Sequence, residues 1–458
     1  MFRLNYGVFR VCEQFLNDIR ASSDNRDLEK VVIPSNPTTN ALRILEQLRN
    51  IVDELDRGDT DSFYRTFPVE LDPFSHPEAQ GNGSQWSQEV LRNAGITPEL
   101  ANPKTFGHPE IKGIIYTDVD GTVSNHKTFT PETSLRHALF VAEAAKEGYV
   151  VIPVTGSAMG DGEGVTNMKD RFLHGEMLAT PVVCTRGGSE AWVLESERYR
   201  QFEPYAKMME ELRAAVTLDQ WTNLVAAISG IVESEITKAF GANWTKDIEN
   251  VQHFNDRSHQ LGRLGSNESV ETIASIKVQP HTRLEEAPGT GSVNFYVTVP
   301  NTGAPEQVMN SISAKIKSFL DEQGYASNLA SFHGIEDNFG TDGPVLQYFL
   351  DFSVYQKSTA RVIQGHLERL LCIPVAQNPT IHFAGNGNND AFFVHNWGPD
   401  RGEPGAFLIQ PDREAKSLAK SIISSGWSGR VVLMGGEDPL CSRLLRNFTR
   451  LISESSHL

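Results

Sequence analysis

Cysteine is scarce in this chain: Cys12, Cys184, Cys372 and Cys441 are the only four in 458 residues. None of the paired spacings of a structural zinc site occurs among them, so they read as buried free thiols in a reducing compartment. Positive charge is also short, with 41 Lys and Arg against 58 Asp and Glu and a formal net charge of -17. A surface that acidic repels phosphate backbones and anionic lipid, and no run of Lys and Arg provides a local exception. Neither nucleic acid nor a membrane surface is therefore expected as a partner. Long apolar runs are missing too: no window approaches the roughly 20 residues of a membrane span. The amino-terminal MFRLNYGVFRVCEQF interrupts its apolar residues with Arg3, Arg10 and Glu13, so it lacks a signal-peptide core. Asn243, Asn267 and Asn447 head glycosylation triplets without a secretory context, and a cytoplasmic protein is expected.

What the chain does contain is globular: 39% hydrophobic and 22% charged residues, enough for two to four domains at about 100–200 residues each. Residues 41–57 place Ile44, Leu45, Leu48, Val52 and Leu55 on one helical face, with Gly58 as a left-handed stop. From Leu71 to about Gly107 the text thins into Pro and Gly around one short helix near Gln88–Asn93, which marks a boundary. Beyond it KGIIYTD (112–118) reads as a buried strand, Pro131–Glu147 as a helix with Leu135, Ala138, Leu139 and Ala142 inward, and YVVIPVTG (149–156) as a second strand. Strand, helix, strand with short links is the unit of a parallel sheet, and TPVVCTRGG (180–188) reads as its third strand. Between about Ala191 and Leu350 long helices mix with alternating strands, SVNFYVTV (292–299) and VLQYFLDF (345–352), as in a half-exposed antiparallel sheet. The α/β texture then returns with a helix after Lys357, strands at 379–385 and 405–410, a helix from Arg413 and a strand at 431–436.

The strongest chemical signal is TDVDGT, Thr117 to Thr122, where the first strand of the sheet ends. Ligands of open α/β sheets bind where loops leave the strand ends. Asp118 and Asp120 flank one residue and lean the same way on an extended backbone, with Val119 turned away and Gly121 allowing a sharp exit. Two carboxylates that close repel unless a cation lies between them, and such oxygen ligands suit Mg²⁺. A calcium EF-hand is excluded, because Thr122 and Phe129 stand where its acidic or amide ligands would be. Three more pieces belong to the same edge. Thr155-Gly156-Ser157 ends the second strand with a hydroxyl and free N–H groups suited to phosphate oxygens. Lys357 opens a helix, where a cation wants an anion nearby. GNGNND, Gly385 to Asp390, packs glycine, amide and carboxylate groups into one loop after an apolar strand. Each alone is ordinary turn chemistry; the order Asp-x-Asp, Thr, Lys, Asp-bearing loop is not.

That order resembles the haloacid dehalogenase (HAD) superfamily of phosphohydrolases, in particular its Cof-type and sucrose-phosphate-phosphatase-like branch with a large inserted cap. TDVDGT is similar to the first motif, VTGS to the second, Lys357 in QKSTA to the third and GNGNND to the fourth; VVCTRGGSEAW is similar to the stretch that enters the cap. The resemblance spans roughly residues 108–458. It implies an α/β fold: a Rossmann-like parallel-sheet core of residues 108–190 and 351–458 and an inserted α+β cap at 191–350; it says nothing of residues 1–107, which read from their own pattern as a mainly helical N-terminal extension of unknown function. It implies a Mg²⁺-dependent phosphatase acting on a small, sugar-like phosphorylated metabolite. Asp118 would be the nucleophile and Asp120 the acid/base, whose pKa is expected above that of Asp118. Thr155, Gly156 and Lys357 would hold the phosphate, and Asp118, Asp120, Asn386 and Asp390 the metal. Two departures stand out. Asn386 offers an amide oxygen where the family usually has an Asp, and Ser157 replaces an Arg. A phosphomutase, or a binding module on a degenerate core, shares the same motifs. Arg186 and Lys277 are candidate leaving-group contacts by charge alone. His333 and Glu336 read as a solvated pair, and His382 and His395 as ordinary packed or surface histidines.

Overall fold

The computed structural model describes residues 37–57, 96–124, 131–156, 159, 177–195, 198–213, 217–242, 244–248, 274–280, 292–300, 305–324, 330–336, 345–353, 357–395, 397–398, 401–412 and 414–455. Gly58, the 88–93 helix, Cys12, Ser157, Asn243 and Asn267 lie outside the described residues.

The chain is α/β. Its central sheet has five parallel strands in the order β13-β12-β11-β1-β2, where β1 is Ile111–Thr117, β2 Tyr149–Pro153, β11 Val375–Gly385, β12 Glu403–Ile409 and β13 Arg430–Leu433. β1 lies between β2 and β11 and is buried on both faces, which is why it reads as a continuous apolar run. Alternate side chains feed two cores: Ile115 and Val119 go to one, Ile114 and Tyr116 to the other. The chain leaves β1 for β2 on one side and returns beside it as β11 on the other, a topological switch point, and such points open a crevice at the carboxyl ends of the strands.

The first core also takes in the amino-terminal helix α1, Pro37–Asp56, through Ala41, Leu45, Leu48, Val52 and Leu55. It packs on α2, Pro131–Lys146, and two ion pairs pin the contact: Arg49 with Glu143, and Arg136 Nη2 with Asp56 Oδ1 at 2.8 Å. The 3-10 turns Pro98–Ala101 and Pro103–Phe106 add Leu100, Ala101 and Phe106 to the same cluster. These described parts of the expected extension are thus built into the core layer, because an amphipathic helix is stable only with its apolar face covered.

The expected third strand joins the central sheet only in part. Among the described residues β3, Val182–Thr185, runs parallel beside the end of β2 through a bridge between Val154 and Cys184, and on its other side pairs antiparallel with β4, Glu190–Glu195, which pairs with β5, Arg198–Gln201. The following helix α3, Glu203–Arg213, sends Tyr205 and Met209 into the second core. The boundary expected at Ala191 therefore falls inside a strand. The separately cored unit begins later, with α4, Leu218–Phe240, whose Leu224, Ile228, Val232 and Ile236 pack with Met309, Ile312, Ile316 and Leu320 of α5, Pro305–Glu322, against Phe295, Val297 and Val299. Those phenylalanine and valine side chains belong to β8, Ser292–Pro300, in a mainly antiparallel sheet ordered β6-β7-β8-β10-β9. Its other strands are β6 Trp244–Ile248, β7 Ala274–Pro280, β9 Ala330–Glu336 and β10 Val345–Ser353. The edge strand β9 lies against the 3-10 turn Asn388–Val394 of the core, which brings this sheet over the GNGNND loop.

After this second sheet, a 3-10 stretch, Lys357–His366, and the short α6, Leu367–Leu371, stand where one helix was expected. The core closes with α7, Ala415–Ser424, and α8, Leu440–Ser455. Cys184 and Cys441 are buried as expected, whereas Cys372 is exposed at the end of α6. Among the described residues no helix is long and apolar enough to cross a membrane.

Candidate active site

Parallel strands in register end together, and four of them deliver the site. Thr117 pairs with Pro153 on one side and Ala384 on the other, and Ala384 pairs with Leu408, so Asp118, Thr155, Asn386 and the segment after Ile409 emerge at one edge. The Asp118 N–H extends the ladder by donating to Ala384 O at 2.9 Å. Val119 then buries fully, and Gly121, at φ +76, turns the chain so that its N–H donates to Ser124 O at 2.7 Å. Gly121 has a second reason to lack a side chain: a Cβ there would collide with the Asn386 amide.

The centre is a buried ion triplet. Lys357 Nζ donates to Asp118 Oδ1 and to Asp390 Oδ1, both at 2.5 Å, with 4%, 7% and 0% of the three residues exposed respectively. The ammonium also lies 5.2 Å from the centroid of the Phe393 ring, a cation–π contact. Burial alone would lower the lysine pKa, but the charges of Asp118 and Asp390 and their hydrogen bonds outweigh it and raise it, so Lys357 is held as a cation. Burial pushes Asp118 up to about 7, with Lys357 pulling against it and Asp390 and then Asp120 adding like charge. Two carboxylates and one ammonium leave a net negative charge in a dry pocket, which favours uptake of a proton or a cation. The upward shift was expected at Asp120. It is Asp118 that is buried, while Asp120 is half-exposed.

Asp390 is fully committed. Oδ1 accepts from Lys357, and Oδ2 accepts the N–H groups of Asn386 at 2.8 Å and Gly387 at 3.0 Å. It was expected as a metal ligand, and the geometry makes it the anchor of both the lysine and the loop. Asn386 is oriented from both ends: its Nδ2 donates to Asp412 Oδ2 at 2.9 Å, and its Oδ1 lies 3.2 Å from Thr122 Oγ1, which is also 3.2 Å from Asp118 Oδ2. One hydroxyl proton serves one of those two oxygens at a time.

Three solved structures are similar to this chain. They are the IMP-bound, N-terminally truncated IMP-nucleotidase of Plasmodium falciparum, at 14% identity over 74% of this chain and 73% of that one; the IMP-nucleotidase of Plasmodium falciparum, at 12% over 93% and 91%; and a HAD/COF-like hydrolase from Plasmodium vivax, at 15% over 78% and 100%. Each has a TM-score of 0.36. No protein-family model and no curated protein matches the chain.

The remaining expected residues distribute as follows. Thr155 is buried at the end of β2, its N–H donating to Cys184 O at 3.0 Å and its carbonyl accepting from Gly187 at 2.8 Å, while Gly156 is exposed with open space around it. Arg186 adopts φ +49 in the turn after β3, with its Nε 3.1 Å from Glu190 Oε1. Lys277 lies on β7, and His333 and Glu336 on β9, all in the second sheet and not in the parallel sheet that carries Asp118. His382 is a packed core histidine: its Nδ1 accepts from the Ala406 N–H at 2.9 Å, and burial lowers its pKa to about 4. The His395 carbonyl accepts from Arg361 Nη2 at 2.6 Å.

Sequence reading gave no role to Thr122, Gln410, Asp412 and Glu414. Gln410 Nε2 donates to Thr122 O at 2.9 Å and Leu440 O at 3.0 Å, and Glu414 Oε2 accepts from the Asn388 N–H at 2.7 Å. The signal that finds the last three is their place just after β12, a parallel neighbour of β11, while Thr122 belongs to the turn after β1.

Proposed function

We propose that the protein is a phosphomonoesterase acting on a small phosphorylated metabolite through an aspartyl-phosphate intermediate. The observation that carries the reading is the Lys357 ammonium held between Asp118 and Asp390 at the carboxyl edge of a parallel sheet. A carboxylate attacks phosphorus only where the phosphoryl charge is neutralised, and a lysine fixed beside the nucleophile does that without rearrangement.

Asp118 attacks phosphorus, an Asp118 oxygen–phosphorus bond forms, and the bond from phosphorus to the ester oxygen breaks. Asp120, half-exposed and next but one in the chain, gives its proton to the departing oxygen. It then takes a proton from water as water attacks the phosphoryl group, releasing phosphate and restoring the Asp118 carboxylate. Lys357 and Thr155 hold the phosphoryl oxygens throughout. β9, set against the Asn388–Val394 turn, limits the space for the leaving group and favours a compact, sugar-like ester.

The donor set fits Mg²⁺. Asp118 Oδ2 and Asn386 Oδ1 are hard oxygens that share Thr122 Oγ1 as a neighbour, and the pocket carries surplus negative charge. Among the described residues no three His, Cys, Asp or Glu side chains group as metal ligands, so the set is mixed: the Asp118 carboxylate with the Asn386 carbonyl, Asp120 being kept for the leaving group's proton. When bound there the ion would supply further charge neutralisation for the phosphoryl group.

The test is phosphate release with Mg²⁺ from a panel of sugar phosphates, a purine nucleoside monophosphate and an aryl phosphate, using the wild type, Asp118→Asn and Asp120→Asn. Turnover by the wild type and none by Asp118→Asn is expected, with Asp120→Asn nearly inactive and accumulating phosphoenzyme. Full activity in Asp118→Asn would refute the mechanism.

A further inference from the structure

Asn386 is the one position where the chain departs from an acidic residue at the candidate cation site, and the carboxylate it lacks stands one hydrogen bond further out. β12 ends at Ile409; the Gln410 N–H continues the ladder by donating to Gly385 O at 2.9 Å, and two residues later Asp412 reaches Asn386 Nδ2 at 2.9 Å. Residues 410 and 412 thus clasp both chemical loops: Gln410 holds the carbonyl of Thr122, and Asp412 holds the amide of Asn386.

A carboxylate only accepts hydrogen bonds, so it selects the NH₂ end of the amide. The oxygen end is then turned to the other side, where Thr122 Oγ1 lies 3.2 Å from it and from Asp118 Oδ2. Without Asp412 the amide could rotate by half a turn and offer the cation its NH₂ group, which repels it. Among the described residues no other contact selects between the two ends as firmly. Thr122, with a hydroxyl, donates or accepts and fits either.

We propose that Asp412 is a positioning residue: it fixes the amide of Asn386 so that the carbonyl oxygen faces the cation site, and it supplies the negative charge that position 386 does not carry. The proposal rests on the reading of this edge as a Mg²⁺-assisted phosphatase site. It also changes what an acidic residue at 386 would do. In Asn386→Asp alone, a second carboxylate would be set 2.9 Å from Asp412, a repulsion in the metal-free protein. In the exchange Asn386→Asp/Asp412→Asn the hydrogen bond survives with its polarity reversed and the charge moves next to the cation.

The experiment titrates MgCl₂ into the wild type, Asp412→Ala, Asp412→Asn, Asn386→Asp and the exchange variant. It reads the dissociation constant by calorimetry, the Mg²⁺-dependent rise in unfolding midpoint, and kcat and KM at saturating Mg²⁺. Asp412 is exposed, and Asp412→Asn is isosteric, so folding is retained. Asp412→Ala should weaken Mg²⁺ binding by about three- to tenfold, the range for losing one charge-assisted hydrogen bond at an exposed position, with kcat at saturating Mg²⁺ within about twofold of wild type. Asp412→Asn, which keeps an acceptor but not the charge, should fall between. Asn386→Asp should lower the unfolding midpoint without metal, and the exchange should recover it and bind Mg²⁺ at least as tightly as the wild type. Unchanged Mg²⁺ affinity and midpoint shift in Asp412→Ala, beside a wild type that binds the ion and turns over, overturn the role of Asp412 and leave the phosphatase reading standing. An exchange variant no better than Asp412→Ala overturns it as well. A wild type that hydrolyses nothing and binds no Mg²⁺ overturns both.

Discussion

Replacing Lys357 by Met keeps most of the apolar stem and deletes only the ammonium, so it isolates the charge. In the folded protein Lys357 Nζ is 2.5 Å from Asp118 Oδ1 and 2.5 Å from Asp390 Oδ1, and the three residues are 4%, 7% and 0% exposed. Removing it leaves two neighbouring carboxylates out of water with no counter-charge. Breaking a buried ion pair from one side costs about 3–5 kcal/mol, because the remaining charge is uncompensated. At about 2–4 °C per kcal/mol for domains of 150–250 residues, the metal-free unfolding midpoint should fall by about 10 °C. Adding Asp390→Asn takes away one of the stranded charges. The new amide oxygen still accepts from the Asn386 and Gly387 N–H groups that Asp390 Oδ2 now serves, so the loop keeps its anchor. The double variant should therefore regain much of the lost midpoint while remaining inactive, since no cation faces the phosphoryl group. Calorimetric or circular-dichroism melts of the wild type, both single variants and the double variant in chelator give the coupling energy directly. A Lys357→Met protein as stable as wild type, or a double variant no more stable than Lys357→Met, would refute the argument.

Three further outcomes are expected. Gly385→Ala would drive its methyl into the Asp390 carboxylate, so it should destabilise the fold by about 1–3 kcal/mol in urea titrations and cut activity by moving the anchor of Lys357. Leu48→Ala, at a residue 1% exposed on α1, should cost about 2–5 kcal/mol in the core transition; a loss below about 0.5 kcal/mol would mean that the helix is dispensable to the sheet. In the unit cored by α4 and α5, hydrogen bonds from Lys238, Lys315 and Ser311 hold Glu235 down to about 2, so its contribution is fully present above the ordinary glutamate pKa of 4.5 and fades as pH falls from there through 2. Glu235→Gln should make the stability of this unit, followed by urea unfolding at pH 6 and pH 3, less sensitive to acid than in the wild type.

Periodicity and punctuation alone determined much of this protein. Leu45, Leu48, Val52 and Leu55 of the helical face at 41–57 and the inward Leu135, Ala138, Leu139 and Ala142 are buried where they were read, with Ile44 half-buried at the edge, because a 3.6-residue repeat is a property of the chain and needs no partner to be visible. The apolar strands around Asp118, Thr155 and Asn386 were legible for the same reason, and so was their shared edge, since parallel strands with apolar runs end in register. What the sequence could not state was who pairs with whom. VVCTRGG has the texture of a parallel strand, yet β3 meets the central sheet by one parallel bridge and spends its length on β4, because an apolar run of that length suits either pairing, and with it the boundary expected at Ala191 moved past α3. The amino-terminal helix showed its apolar face but not what covers it, which only the packing on α2 decided. The same holds at the site. That Asp390 spends both oxygens on Lys357 and the loop, and that Asp412 turns the Asn386 amide, are facts about groups 33 and 26 residues apart in the chain. Local pattern carries no distance between such groups; the sheet brings them to hydrogen-bonding range by ending β1, β11 and β12 at one edge.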